Sequence, residues 1–310
     1  MVRSGHVIWL IGLNVVTFLV YAAEVFLATV NGLDAVGIFK NTVGNISDLF
    51  YLEITPSSWT FSIWGFIYAW QVLWLVYAFT LICRRGKSGY LYVSPGVLSP
   101  WFLFCFTLST LFVIAWLFVW DNLIVEAAFA TLLGATLTSH AALCFGYWRM
   151  KNIKSDLVEQ SRSIDIWLKQ ILVLNGVAFY NTWISIATCL NFATLLTYTG
   201  WSPVPQGAAS TAALGLLMAV IFMWFIFKNF LFERHLRFTY SPFIVLHVGL
   251  AGSLDKNWDR NNGNSLLTAM ILAVVVVLFV ISLTHTIIRQ VRENKRSSHL
   301  VEDPVSVNSR

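Results

Sequence analysis

The chain has 310 residues, of which 57% are hydrophobic and only 11% are charged, and its formal net charge is +5. An ordinary soluble domain carries about 25% charged residues, so this composition excludes a water-soluble globular fold as well as a disordered chain, a collagen and a small disulfide-stapled module. The class that remains is a polytopic membrane protein.

Eight apolar segments are long enough to cross a membrane as helices, since about 20 residues at a rise of 1.5 Å per residue span the hydrocarbon core. In chain order they are Val7–Val30, Trp59–Cys83, Val97–Trp120, Leu123–Trp148, Ile166–Tyr198, Ala208–Leu231, Tyr240–Leu254 and Leu266–Ile288. The fold class that they predict is an all-α polytopic bundle of about eight transmembrane helices. The seventh segment is the shortest, and the fifth is long enough to tilt or to extend beyond the membrane.

Positive charges orient these spans, because the cytoplasmic loops of membrane proteins collect Lys and Arg. With eight spans, 17 of the 20 Lys and Arg residues fall on one side, and only Lys40, Lys256 and Arg260 fall on the other. Both termini are therefore predicted to be cytoplasmic. The positive net charge then indicates contact with anionic lipid and not with nucleic acid.

Two polar segments lie outside the spans. The first exterior loop, about residues 31–58, carries the sequon Asn45-Ile46-Ser47, which predicts glycosylation of Asn45 if the loop faces a secretory lumen. The segment 290–310 is polar and is predicted to be a disordered cytoplasmic tail. The four cysteines lie within or at the ends of spans, which favours packing over a disulfide framework or a metal site.

No phosphate-binding glycine loop, HExxH, CxxC or GxSxG motif occurs, which favours a protein without metal, cofactor or enzymatic activity. Ionisable side chains at membrane depth are the first place to look for function. They are Glu24 in span one, His140 in span four, His247 in span seven and His285 in span eight. Glu24 and His140 are candidates for a proton relay, and the alternative for each histidine is a neutral imidazole that bonds to a neighbouring helix.

Spans two and five each carry an aromatic face with polar tips at helical spacing. The residues are Trp59, Phe61, Trp64 and Tyr68 in span two, and Tyr180, Trp183, Ala187 and Asn191 in span five. Two such faces can enclose a flat apolar ligand by stacking. An interfacial aromatic belt explains Trp59 equally well, whereas the deeper Trp64, Trp116 and Trp183 favour a pocket or core. Ahead of span two, Thr55 is the predicted N-cap.

These two spans resemble the signature helices of the translocator protein family, also called tryptophan-rich sensory proteins (TspO/MBR). In span two the resemblance rests on Pro56, Trp59, Trp64, Gly65, Ile67 and Tyr68. In span five it rests on Tyr180, Trp183, Ala187, Leu190 and Asn191. The resemblance covers Val7–Tyr198, with five spans in the family's order.

The resemblance implies a five-helix bundle over residues 1–198, around a pocket that is closed by the loop between helices one and two. By position, Trp116, Trp183 and Ala187 would line this pocket, and the first exterior loop would be its lid. Residues 199–289 would then form three additional spans. A porphyrin or haem would be a ligand of the pocket, and the implied partners are membrane lipid, a small hydrophobic ligand and a second copy of the chain.

Two functions of different class follow from these observations. The first is a membrane protein that binds, and transports or senses, a planar hydrophobic ligand such as a tetrapyrrole or a sterol. The alternative is a secondary transporter that uses Glu24 and the membrane histidines, and an enzyme acting on a bound tetrapyrrole ranks last. The compartment stays open, with the plasma membrane or an endomembrane slightly favoured over the mitochondrial outer membrane.

Overall fold

The computed structural model describes residues 5–33, 37–200 and 203–302, and these are almost entirely helical. The helices are α1 (Ile8–Gly32), α2 (Val43–Leu49), α3 (Ile63–Cys83), α4 (Pro100–Asp121), α5 (Val125–Glu159), α6 (Ser163–Leu168), α7 (Asn175–Tyr198), α8 (Gln206–Ile226), α9 (Glu233–Leu236), α10 (Ser241–Asn257) and α11 (Gly263–Glu302). A 3-10 turn, Ser58–Ser62, leads into α3, while π-helical stretches over Lys169–Leu174 and Phe227–Leu231 join α6 to α7 and extend α8. A hairpin of two short strands, β1 (Arg85–Gly86) and β2 (Gly89–Tyr90), follows α3.

Within the described residues, seven helices are long and apolar enough to cross a membrane. They correspond to all the predicted spans except the seventh, and the all-α, multi-pass prediction is therefore confirmed. The seventh predicted span is α10, a helix of 17 residues that lies at the lower end of the length range for a membrane-spanning helix. Which side of the membrane holds the termini stays a prediction.

Two helices are longer than the apolar pattern indicates. Helix α5 continues past Trp148 to Glu159, because Met150, Ile153 and Leu157 recur at helical spacing and are buried against the bundle. Helix α11 continues to Glu302, so the first part of the predicted disordered tail is helical, while residues 303–310 lie outside the described part of the chain.

The start of α3 differs from the prediction that Thr55 is its N-cap. The Thr55 hydroxyl instead accepts the Leu52 N–H at 2.9 Å and closes a turn ahead of the helix. Ser57 precedes the 3-10 turn, and its N–H donates to the Gly252 carbonyl of α10 at 3.0 Å. A partner distant in sequence thus decides where this helix begins.

Helix α7 lies at the centre of the bundle and contacts α3, α5, α8 and α10. Its buried residues run consecutively over 176–181 and 183–186, so they occur on every side of the helix. Four of its Ser and Thr side chains bond to the carbonyl four residues earlier, as Thr182 does to Ala178 at 2.8 Å. Span five is therefore the helix around which the others pack.

Charged side chains lie at the two ends of the bundle. At one end, Arg84 after α3 forms a bidentate ion pair with Asp165 of α6, in which its two terminal guanidinium nitrogens lie 2.7 and 2.8 Å from the two carboxylate oxygens. At the other end, the Lys40 ammonium donates to the Asn122 side chain at 2.7 Å. The cation-rich segments after α3 and α5 thus share one end of the bundle, as an odd-even alternation of spans requires.

Gly252 allows the 3-10 turn to approach α10 closely, since a Cβ at this position would lie 1.8 Å from the Thr60 hydroxyl oxygen. We expect Gly252→Ala to lower the free energy of unfolding by about 1–3 kcal/mol through overpacking. The measurement is the thermal unfolding midpoint of the purified protein in detergent.

Gly215→Ala is the matched control, because its added Cβ would meet nothing within 4 Å. The Thr60 hydroxyl is buried without a hydrogen-bond partner among the described residues, so its removal breaks no hydrogen bond there. Thr60→Gly should therefore restore part of the stability that Gly252→Ala removes. Failure of this rescue would contradict a direct contact between the two positions.

Candidate ligand-binding site

A small cavity of about 60 Å³ lies between α3, α4, α5 and α7, beneath the segment that links α1 to α3. Six of the nine residues predicted to bind ligand line it: Phe61, Trp64, Trp116, Trp183, Ala187 and Asn191. Helices α3, α4 and α7 and the 3-10 turn ahead of α3 contribute these residues. The structure therefore brings the two aromatic faces and the third-helix Trp together, while their role in binding stays a prediction.

The first exterior loop covers this cavity. Its lining residues from the loop are Val43, Ser47, Phe50, Leu52, Thr55 and Pro56. We call residues 37–57 the covering segment. The sequon residue Asn45 lies on the exposed side of α2 within it, and whether it is glycosylated stays a prediction.

Buried polar side chains hold the covering segment in place. The Asp121 carboxylate accepts the backbone N–H groups of Lys40 and Asn41 at 2.8 and 2.9 Å. Asn31 donates to the Asn41 carbonyl and accepts the Val43 N–H, both at 2.9 Å. The ends of α1 and α4 thus anchor the segment by backbone contacts, which depend on its conformation more than on its side chains.

Aromatic rings in the walls meet one another in two arrangements. Trp116 and Trp120 stack, with centroids 5.8 Å apart and an angle of 20° between their planes. Trp183 meets Trp64 edge to face at 6.1 Å and Phe61 edge to face at 6.3 Å. Both arrangements are favourable for aromatic pairs, and both expose apolar ring surface on which a planar ligand can stack.

Trp120 is a lining residue that sequence reasoning missed. It follows Trp116 by four positions, which places both on one face of α4. The Trp116 indole N–H donates to Asn191 at 3.3 Å, whereas the Trp120 indole nitrogen is buried without a hydrogen-bond partner among the described residues. A buried donor without an acceptor costs about 1–3 kcal/mol. A ligand with a carbonyl, hydroxyl or carboxylate oxygen can remove that cost.

Three predicted ligand residues lie outside the cavity. Trp59 is half exposed, and its indole N–H donates to the Asp255 carboxylate of α10 at 2.9 Å. Tyr68 stacks on Trp64 at 5.0 Å, one turn further along α3, and Tyr180 meets Trp64 edge to face at 6.1 Å. The two tyrosines belong to a layer next to the cavity.

Glu24 lies in this tyrosine layer and is fully buried. The Tyr180 hydroxyl donates to its carboxyl group, with both oxygens 3.3 Å away. No Lys, Arg or His in the described residues forms an ion pair with it. The carboxyl group therefore depends on neutral hydrogen-bond donors.

The membrane histidines do not contact Glu24. The His140 ring donates to the Thr136 carbonyl at 2.8 Å, and the His247 ring donates to the Phe243 carbonyl at 2.6 Å, both within their own helices. The expected bond to a neighbouring helix is thus replaced by a bond four residues back in the same helix. A relay that joins Glu24 directly to His140 has no hydrogen-bonded path between the described residues.

We expect Tyr180→Phe to lower the free energy of unfolding by about 1–3 kcal/mol, because it removes the hydroxyl that donates to the buried Glu24 carboxyl. Tyr68→Phe is the control, since the Tyr68 hydroxyl makes no hydrogen bond to a described residue. Thermal unfolding in detergent measures both. Equal losses in the two variants would contradict the proposed dependence of Glu24 on Tyr180.

Comparison with known proteins supplies the family. The chain matches the family model described as TSPO-like protein over residues 13–284. No curated protein and no solved structure matches it. The match includes the helices that form the cavity and crosses residue 198, so it extends through α8 and α10 into α11. Because it covers most of the sequence, the chain belongs to the TSPO-like protein family.

Proposed function

We propose that this multi-pass membrane protein of the TspO type binds a planar hydrophobic ligand, such as a tetrapyrrole or a sterol, in the cavity beneath the covering segment. The observation that carries the proposal is the convergence of aromatic side chains from α3, α4 and α7 on one cavity. The unpartnered Trp120 indole nitrogen supports it, because a bound acceptor would satisfy this donor.

The ligand must open the cavity in order to enter. The present volume of about 60 Å³ is far below the roughly 300–1,000 Å³ of ordinary ligand pockets. The other walls belong to the four long helices α3, α4, α5 and α7, whereas the covering segment contains only the short helix α2. We infer that this segment moves, and that its bonds to Asp121 and Asn31 define the closed position.

The lining also limits the chemistry of the ligand. No Lys, Arg, Asp or Glu side chain of the described residues lines this cavity. Affinity therefore rests on burial of apolar rings and on stacking, with one hydrogen bond to Trp120 to orient the ligand. Asn191 is already engaged by Trp116 and by the Ala187 carbonyl at 3.1 Å.

A titration of the purified protein with protoporphyrin, followed by tryptophan fluorescence, tests the proposal. We expect saturable quenching at micromolar concentrations, which corresponds to about −8 kcal/mol. Ala187→Leu combined with Trp183→Phe should weaken binding at least about tenfold, because it fills the cavity and removes a ring of its wall, and tenfold equals about 1.4 kcal/mol. Trp120→Phe keeps a ring but removes the donor, and it should also weaken binding.

Ala69→Leu is the matched control, since Ala69 is exposed on α3 and lines none of the described cavities. It should bind as the wild type does. Absence of quenching in well-folded protein, or equal affinity in all variants, would overturn the proposal.

A second candidate function is proton-coupled transport, and the burial of Glu24 without an ion-pair partner favours it. Ionisable groups at membrane depth are commonly parts of a transport path. In proteoliposomes, we expect a pH-dependent uptake of protoporphyrin that Glu24→Gln abolishes. Glu126→Gln, at an exposed position at the start of α5, is the control. Unaltered uptake in Glu24→Gln would remove the relay role and leave ligand binding untouched.

A further inference from the structure

A larger cavity, of about 570 Å³, lies between α5, α7, α8 and α10 and shares no lining residue with the cavity beneath the covering segment. Its volume is in the range of ordinary ligand pockets. Along α5 the lining extends from His140 to Lys151, which is about 16 Å at 1.5 Å per residue. This length is about half of the roughly 30 Å hydrocarbon core, and therefore matches the depth of one leaflet.

The wall of this cavity is apolar for most of its length. Leu143, Leu217, Ile221, Trp224 and Leu246 contribute to it from three different helices, α5, α8 and α10. These side chains offer no partner for a soluble polar molecule, and filling the space with water would leave that water short of hydrogen bonds. The occupant therefore has a long apolar part.

Basic side chains gather at one end of the same cavity. Lys151 and His235 line it there, and Lys154 and Arg234 lie close enough to act on His235. Burial, and then the charges of Lys151, Arg234 and Lys154, lower the pKa of the His235 ring. The cavity thus ends in a region of positive potential.

The three cations of this end, Lys151, Lys154 and Arg234, form no direct salt bridge with a carboxylate of the described residues. Lys154 and Arg234 act at longer range on Glu293. That carboxylate is bound by Arg237 through both oxygens at 2.7 Å. The neighbouring Glu233 is already bound by Arg237 at 2.5 Å, with Arg289 3.8 Å away. We call Lys151, Lys154 and Arg234 the basic mouth.

We propose that this cavity holds an acyl chain of an anionic phospholipid, whose phosphate group is bound by the basic mouth. The apolar cavity, one leaflet deep, accommodates the acyl chain, and the three cations attract the charged headgroup. Basic pockets between transmembrane helices on the cytoplasmic side are suited to such lipids, because cations near an anionic membrane surface attract its headgroups. A zwitterionic lipid would bring its own ammonium group close to these cations together with its phosphate, and a neutral sterol would bring no negative charge at all.

Native mass spectrometry tests this proposal. The full chain is reconstituted in bilayers of equimolar phosphatidylglycerol and phosphatidylcholine, and is then extracted with the lipids that stay bound to it. We expect one phosphatidylglycerol molecule to be retained per chain, at least about tenfold in excess over phosphatidylcholine. Lys151→Gln combined with Arg234→Gln should abolish that preference. Arg85→Gln combined with Lys87→Gln is the matched control, since it removes equal charge at the same end without altering a lining residue.

A second pair of variants tests whether the acyl chain occupies the cavity. Val220→Trp fills the cavity and should lower the retained phosphatidylglycerol at least about tenfold, whereas Val276→Trp, exposed on α11, should not. Because the charge variants alter the mouth and not the packed core, they remain informative if Val220→Trp fails to fold. Equal retention of the two lipids, or equal retention of phosphatidylglycerol by the charge variants and the wild type, would overturn the proposal. Preferential retention of added cholesterol in the cavity would also overturn it.

Discussion

The burial of α7 on every side is the constraint on which the rest of the structure depends. In a membrane, each polar group of such a helix needs a partner within the protein. Four hydroxyl side chains of α7 meet this need by bonding to the carbonyl four residues earlier in their own helix, as Ser185 does to Asn181 at 2.7 Å. Helix α7 can therefore serve as a wall on two sides at once. Trp183, Ala187 and Asn191 line the small cavity, while Asn181 and Ser185 line the large one.

The cation-rich end of α7 shows how one side chain reshapes a helix. Asn175 donates to the Gln170 carbonyl at 2.9 Å, five residues back, and to the Phe238 carbonyl at 3.0 Å, and it accepts the Tyr240 N–H at 3.0 Å. The π-helical stretch over Lys169–Leu174 lies directly before it, and such stretches arise where a helix accommodates an extra residue. The same asparagine thereby joins α7 to the start of α10. This link explains why α10, although short, is firmly part of the bundle.

The two cavities differ in the interactions that they offer. The cavity beneath the covering segment is small, aromatic and free of charged residues in its described lining, so a ligand there would bind by ring burial and would displace the segment. The large cavity already has the volume of a ligand pocket and combines an apolar wall with a basic mouth. A planar ring system suits the first, and a lipid chain with an anionic headgroup suits the second. Because Trp183 and Ser185 are neighbours in α7, a lipid in the large cavity and a ligand in the small one would contact the same helix from opposite sides.

The sequence by itself determined the fold class and seven of the membrane-spanning helices, because apolar length is a local property that packing cannot reverse. Helical spacing likewise determined which residues share the aromatic faces of spans two and five, while a pocket shared by Trp116, Trp183 and Ala187 was implied only by the family resemblance. The tertiary structure alone decided the partners. Trp59 turns to Asp255 of α10, Tyr180 to Glu24 of α1, and Trp120 joins the cavity without an acceptor. The large cavity likewise exists only where four helices fail to fill the space between them. Such features depend on contacts between residues far apart in the chain, which the periodicity of one helix does not encode.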